Sequence, residues 1–207
     1  MKDLLVHGVY DRDTLQTLRE KGIRALAFDL RGRSANLVPF RQLQELLPLL
    51  GGEEVYLTFG DDKKETVLSF LNLLEARFPN VGLIFRDVRP AAFYQGLGRS
   101  FYWLFDPAGD WREILSLDAA SGVLLPLRYQ SDYQRLPELW RLVDERNLAV
   151  YLHAESFEQS LFVNLHGGLK LSIDLTSEVE RSYRSVDQEK LRTMRLWRSA
   201  HANPAGQ

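Results

Sequence analysis

The chain has no cysteine, which removes disulfides, thiolate metal sites and thiol nucleophiles together. It also has no marked excess of either charge: 26 Lys and Arg stand against 28 Asp and Glu, a net charge of −2. That balance favours neither nucleic acid nor an anionic membrane as a partner. No apolar run approaches the 18 residues that a membrane-spanning helix requires. The apolar run within Met1–Gly8 is too short for a signal peptide, so a cytoplasmic protein is the expectation. Low-complexity sequence is scarce, and only His201–Gln207, with Asn203-Pro204 and small residues, reads as an unstructured tail.

What is present is an alternation of two kinds of segment. Short apolar runs occur at Leu4–Val6, Ala25–Leu30, Val55–Phe59, Val81–Phe85, Phe101–Phe105, Val123–Leu127, Leu148–Leu152 and Leu169–Leu175. Each has the length of a buried parallel strand, and most are apolar on both faces. Helical spacing appears between them, at Thr14–Lys21, Phe40–Leu50, Lys63–Phe78, Trp111–Leu117, Pro137–Arg146, Phe157–Leu165 and Gln188–Arg198. Gly22 follows the first helix as a natural stop. Ala91–Gly96 offers only a turn or two, so the helices after the fourth and fifth strands are the places where regularity could fail.

Eight strand and eight helix candidates predict an α/β fold: a single (β/α)8 TIM barrel over residues 1–200. An open doubly wound sheet would require a phosphate-binding GxGxxG turn after the first strand, and Gly8-Val9-Tyr10-Asp11 is not one. Chemistry in such barrels sits where strands end and βα loops begin. The candidate catalytic residues at those ends are His7, Asp29, Arg128, His153 and Asp174. Candidate ligand-binding residues are Arg31, Arg33, Thr176 and Ser177.

Two stretches carry a family likeness. Near the start, Leu5-Val6-His7-Gly8 is followed by a helix. Then come Gly22-Ile23-Arg24-Ala25-Leu26-Ala27-Phe28-Asp29 and Arg31-Gly32-Arg33-Ser34-Ala35-Asn36. Near the end stand Asp174-Leu175-Thr176-Ser177-Glu178-Val179-Glu180 and, later, Asp187. These resemble phosphoribosylanthranilate isomerase, the tryptophan-pathway barrel. That family's patterns are KICG, a helix and GADxxGFxFxxxSxR at one end, and DVSSGVE with a later KD at the other. The order and spacing of elements agree between the two ends, with few identities. The resemblance implies a barrel that catalyses an Amadori rearrangement, in which a general acid opens a ribose ring and a general base takes a proton from C2.

Several positions depart from that pattern. The resemblance puts the base at the Cys of KICG, where this chain has His7, and the acid at an Asp ending the sixth strand, where it has Leu124-Leu125-Pro126. The Arg of SxR is Asn36, which loses a planar five-donor cation suited to an anionic substrate. The glycines that let a phosphate approach backbone N–H groups are replaced: AGGL reads His153-Ala154-Glu155-Ser156, and SSGVE reads Thr176-Ser177-Glu178-Val179-Glu180. Acid–base groups contribute on the order of 10²–10⁴-fold each. Like charges about 4 Å apart repel by about 4 kcal/mol at an effective dielectric of 20.

The expectation is therefore a divergent barrel that has lost the isomerase reaction, a pseudoenzyme that binds a small anionic ligand or a protein partner. An active isomerase with His7 as substitute base, and Asp132 or Asp106 as acid, is the alternative. An enzyme of another reaction using His7, His153 and nearby carboxylates is the third reading. No cofactor is implied. No metal is expected either, because His7 and His153 show no H-x-H or HExxH spacing.

The ordinary structural expectations are equally specific. A neighbouring Asp or backbone carbonyl would hold His7, and Arg31, Arg33, Arg86 and Arg128 would pair with Asp29, Asp87 or Asp106. Phe101-Tyr102-Trp103-Leu104-Phe105 would fill the barrel, and Trp140 and Trp197 would pack.

Overall fold

Short runs of Val, Ile, Leu and aromatic residues become strands because a pleated segment apolar on both faces is stable only between two layers of packing. In the chain these are β1 (Leu4–His7), β2 (Ala25–Asp29), β3 (Glu54–Phe59) and β4 (Gly82–Phe85). They continue as β5 (Phe101–Leu104), β6 (Ala120–Pro126), β7 (Ala149–Ala154) and β8 (Lys170–Asp174). The computed structural model describes residues 4–75, 78, 81–127, 136–154, 170–175, 180–182, 185–186 and 189. All eight strands pair in parallel in chain order, and β8 returns to β1 to close the barrel. The fold is the (β/α)8 barrel, and the open doubly wound sheet is excluded.

The helices between them are α1 (Arg12–Glu20), α2 (Phe40–Leu46, continued by a 3-10 turn over Leu47–Leu49) and α3 (Lys64–Glu75). Next are α4 (Ala91–Gln95), α5 (Trp111–Ser116) and α6 (Pro137–Glu145). The start of α1 is fixed by Asp11, whose carboxylate accepts from the Thr14 N–H. Its end is a Schellman turn: Gly22 at φ +72° donates to the Arg19 carbonyl, and Ile23 donates to that of Leu18. Short helices do follow β4 and β5, at five and six residues. The helix expected at Phe157–Leu165 and the tail at 201–207 lie outside the described residues, as does all of Gln188–Arg198 except Glu189.

The main differences from expectation lie at strand ends. The β6 strand begins at Ala120 rather than Val123, because Ala120 and Gly122 pair with Phe101 and Tyr102. The β7 strand runs on through His153 to Ala154, in ladder contact with β8. A small antiparallel pair, β9 (Glu180–Ser182) and β10 (Ser185–Val186), has no Gly or Pro turn signal and was not legible in the sequence.

The core is double. Leu5, Ala25, Ala27, Tyr56, Ile84, Leu124 and Tyr151 fill the lumen, with Tyr102, Leu104 and Ala149 against them. A larger cluster fills the space between sheet and helices. Alternation thus sends Tyr102 and Leu104 inward, while Phe101, Trp103 and Phe105 join the outer layer, so only part of that aromatic strand fills the barrel. Trp140, on α6, is 36% exposed, so it is not part of the buried core.

Tyr56, Tyr102 and Tyr151 meet edge to face, with ring centres 5.5 and 5.8 Å apart. Two glycines make room for them. A Cβ on Gly82 would lie 2.5 Å from the Tyr56 ring, and one on Gly122 would collide with Tyr102 and the Ala149 carbonyl. Gly122→Ala is expected to cost about 1–3 kcal/mol in urea unfolding through overpacking. Gly32→Ala, with nothing within 4 Å, should change stability by less than about 0.5 kcal/mol. Equal stability of the two variants would contradict this packing.

Among the described residues, no helix is long and apolar enough to cross a membrane.

Candidate functional site

The strand ladder brings the polar strand ends to one rim. His7 is level with Ala27 and Asp174, His153 with Pro126 and Ser172, and Asp29 with Thr58. Each shares parity with a lumen residue two positions earlier: His7 with Leu5, Asp29 with Ala27 and His153 with Tyr151. His7, Asp29, Thr58, His153 and Ser172 are all buried.

Arg86, just beyond β4, reaches across this rim. Its Nη1 donates to Asp174 Oδ2 at 2.8 Å, and its Nη2 lies 2.6 Å from His153 Nε2. The hydroxyl of Ser172 lies 3.0 Å from His153 Nδ1 and 2.6 Å from His7 Nε2. Arg86, His153, Ser172 and His7 form one chain whose proton positions follow from the arginine. A guanidinium only donates, so His153 Nε2 must accept and its proton sits on Nδ1. That proton goes to Ser172, whose own hydroxyl then donates to His7 Nε2. His7 therefore keeps its proton on Nδ1, and its one lone pair is spent on Ser172. Its Nδ1–H has no hydrogen-bond partner among the described residues.

Burial agrees with this neutral pair. It is the main force pushing the His7 pKa down to about 3, and Arg86 adds to it against the partial opposition of Asp174 and Asp29. The His153 pKa is lowered for the same reasons, burial first and then the charge of Arg86.

On the β2 side, Asp29 accepts from Arg31 Nε at 2.9 Å and Nη2 at 2.5 Å, and also takes the Arg31 backbone N–H. Arg31 is thus locked over the strand end. The loop after it turns back so that Val38 donates to the Asp29 carbonyl. This seats Asn36 against Gly8. Gly8 has φ +83°, and a Cβ there would lie 2.7 Å from Asn36 Nδ2 and 3.3 Å from Asp174 Oδ1. Both ends of the buried Asn36 amide, together with Thr58 Oγ1 and Arg86 Nε, have no hydrogen-bond partner among the described residues. Buried polar atoms are normally paired, so this concentration at one rim marks a place built to meet something further. Beside it is a cavity of about 430 Å³, with Arg31, Arg33, Arg86, Asp61, Asp87 and Asp174 in its wall. That volume is in the range of small-molecule sites.

Of the sequence candidates, the structure brings His7, Asp29, Arg31, His153 and Asp174 together and leaves Arg33 on the exposed edge of the cavity. Arg128, Thr176 and Ser177 lie outside the described residues, as do Asp132, Glu155 and Glu178. Two pairings differ from expectation. His7 is held by Ser172 rather than by an Asp or a carbonyl, and Arg86 passes over Asp87 to reach Asp174. Sequence reading did not single out Ser172. Its signal was a lone hydroxyl at inward parity inside the apolar run Leu171-Ser172-Ile173. Among the described residues, no group of three or more His, Asp or Glu side chains is placed to hold a metal ion.

Closed parallel barrel and polar rim together define a protein of the (β/α)8 class. No protein-family model matches the chain, and no curated protein matches it in sequence. Solved structures do match. A phosphoribosyl anthranilate isomerase from Thermus thermophilus is 19% identical with a TM-score of 0.68, covering 97% of this chain and 99% of its own. A phosphoribosyl anthranilate isomerase in complex with reduced 1-(o-carboxyphenylamino)-1-deoxyribulose 5-phosphate is 12% identical with a TM-score of 0.74, covering 97% and 100%. An HpcH/HpaI aldolase from Desulfitobacterium hafniense is 11% identical with a TM-score of 0.63, covering 99% and 94%. The fold is therefore that of the isomerase barrels, and at these identities the likeness extends to the fold alone.

Proposed function

We propose that this barrel is a cytoplasmic relative of the isomerases that has lost their reaction and binds a small ligand at its mouth. The observation that carries the reading is the proton order from Arg86 to His7. At the position where the resemblance calls for a base, the side chain has its lone pair committed to Ser172 and a proton on its free nitrogen. With a pKa near 3, His7 is also far too weak a base to take a carbon-bound proton near neutral pH. Where the resemblance calls for an acid, Pro126 ends β6 beside His153 and has no proton to give. Glu155 and Glu178 replace glycines at the positions matching the phosphate cradle, and a carboxylate there repels a phosphate ester. Ligand binding is favoured over pure scaffolding by the cavity and by the unpaired polar atoms around it.

The test is complementation of a bacterium lacking its own isomerase, on medium without tryptophan, with a direct isomerisation assay alongside. No growth is expected. With base and acid both missing, kcat/KM should fall below that of an active barrel by at least about 10⁴-fold. Growth that disappears in His7→Ala would overturn the proposal.

A further inference from the structure

We infer that the cavity takes a small dipolar ligand, with its cationic end against Asp61 and Asp87 and its anionic end against Arg31 and Arg33. This inference rests on the ligand-binding reading and names the chemistry of the occupant. The cavity wall separates its charges by loop. The segment after β2 supplies both rim guanidiniums, while the segments after β3 and β4 supply Asp61 and Asp87. Between them, the floor holds Arg86 and Asp174, already paired with each other. Counting Asp29 behind Arg31, four carboxylates face three guanidiniums. A phosphate ester entering this space meets no net attraction, and neither does a simple carboxylate. A ligand with both charges satisfies both walls at once.

The anionic end would meet a preorganised partner. Arg31 is fixed by Asp29 and is 26% exposed at its side chain, so presenting its outer face requires no further ordering. Asp87 sits on the other side of Gly60: a Cβ there would lie 2.8 Å from Asp87 Oδ2 and 3.2 Å from Arg31 Cγ. The two walls therefore approach each other over a bare backbone, and beyond them Gly32 leaves open space with nothing within 4 Å. Asn36, buried next to Asp174 with both amide atoms unpartnered, adds a donor and an acceptor close to the cavity floor.

The experiment is calorimetric titration of the full chain with straight-chain ω-amino acids from glycine to aminohexanoate. These vary charge separation at constant charge. Alkylamines and alkyl carboxylates of equal length, and inorganic phosphate, are the single-charge probes. One ω-amino acid length should bind about tenfold or more tighter than either matched single-charge probe. That advantage should vanish in Arg33→Ala and in Asp61→Asn/Asp87→Asn, which change only exposed side chains and should keep the wild-type unfolding midpoint. Phosphate, or an amine alone, binding as tightly as every ω-amino acid would overturn the dipolar class while leaving the ligand-binding reading standing. No heat from any probe at concentrations on the order of 10 mM would overturn both.

Discussion

Arg86→Ala should cost about 3–5 kcal/mol of folding stability, the range for breaking a largely buried ion pair from one side. The side chains of Arg86 and Asp174 are only 12% and 9% exposed, so the alanine variant leaves a carboxylate in a poorly hydrated place with its cation gone. It also leaves His153 Nε2 without its donor. Urea unfolding measures the loss, and two comparisons assign it. Arg86→Ala/Asp174→Asn should recover part of it, because the stranded charge is removed with its partner. Arg112→Ala, which breaks a pair with Glu138 whose side chains are 64% and 58% exposed, should cost less than about 1 kcal/mol. A loss at Arg86 no larger than that at Arg112 would place the Arg86 guanidinium in solvent and dissolve the chain that it orders.

Stability should also fall steeply on mild acidification. The unfolded chain takes up a proton on each histidine near pH 6.5, whereas folded His7 resists protonation until about pH 3 and folded His153 is shifted in the same direction. Below pH 6.5 the unfolded state thus binds more protons. The contribution of these imidazoles is complete above that pH and is lost as pH falls toward 3. His7 alone should remove about 1.4 kcal/mol per pH unit once well below 6.5, and His153 adds to it. Unfolding free energies between pH 7.5 and 4.5 isolate the effect, because ordinary carboxylates titrate mostly lower. His7→Gln should be less stable at pH 7.5 and show a shallower acid slope. A flat wild-type profile over this window would contradict two neutral buried imidazoles.

Much of the fold was legible because a parallel barrel writes its strands as apolar runs on both faces. The run Ala25–Leu30 could be little else with one similar run before it and six after it. Strand ends were less legible. The N-terminal part of β6 is Ala120-Ser121-Gly122, residues with little strand preference, and only pairing with Phe101 and Tyr102 makes them extended. Residues of the site were legible as polar side chains at run ends, and His7, Asp29, His153 and Asp174 do converge. Their connections were not. That Arg86 bypasses the adjacent Asp87 for Asp174, 88 residues away, is decided by closure of the barrel and not by anything local in the chain. Ser172 was hidden for the opposite reason. A single hydroxyl in an apolar strand reads as tolerated polarity until two imidazoles are seen on either side of it.

The proton order at the mouth is the claim on which the rest depends, and long-range proton–nitrogen correlation NMR of the two imidazoles reads it directly. At pH 7, both His7 and His153 should be neutral with the proton on Nδ1 and an unprotonated Nε2. In Arg86→Met, the constraint on His153 is lifted and its tautomer should become free to change. His7 found with its proton on Nε2, or as an imidazolium, would contradict the account, because the Nδ1 lone pair or the charge required for acid–base work would then be present at the mouth.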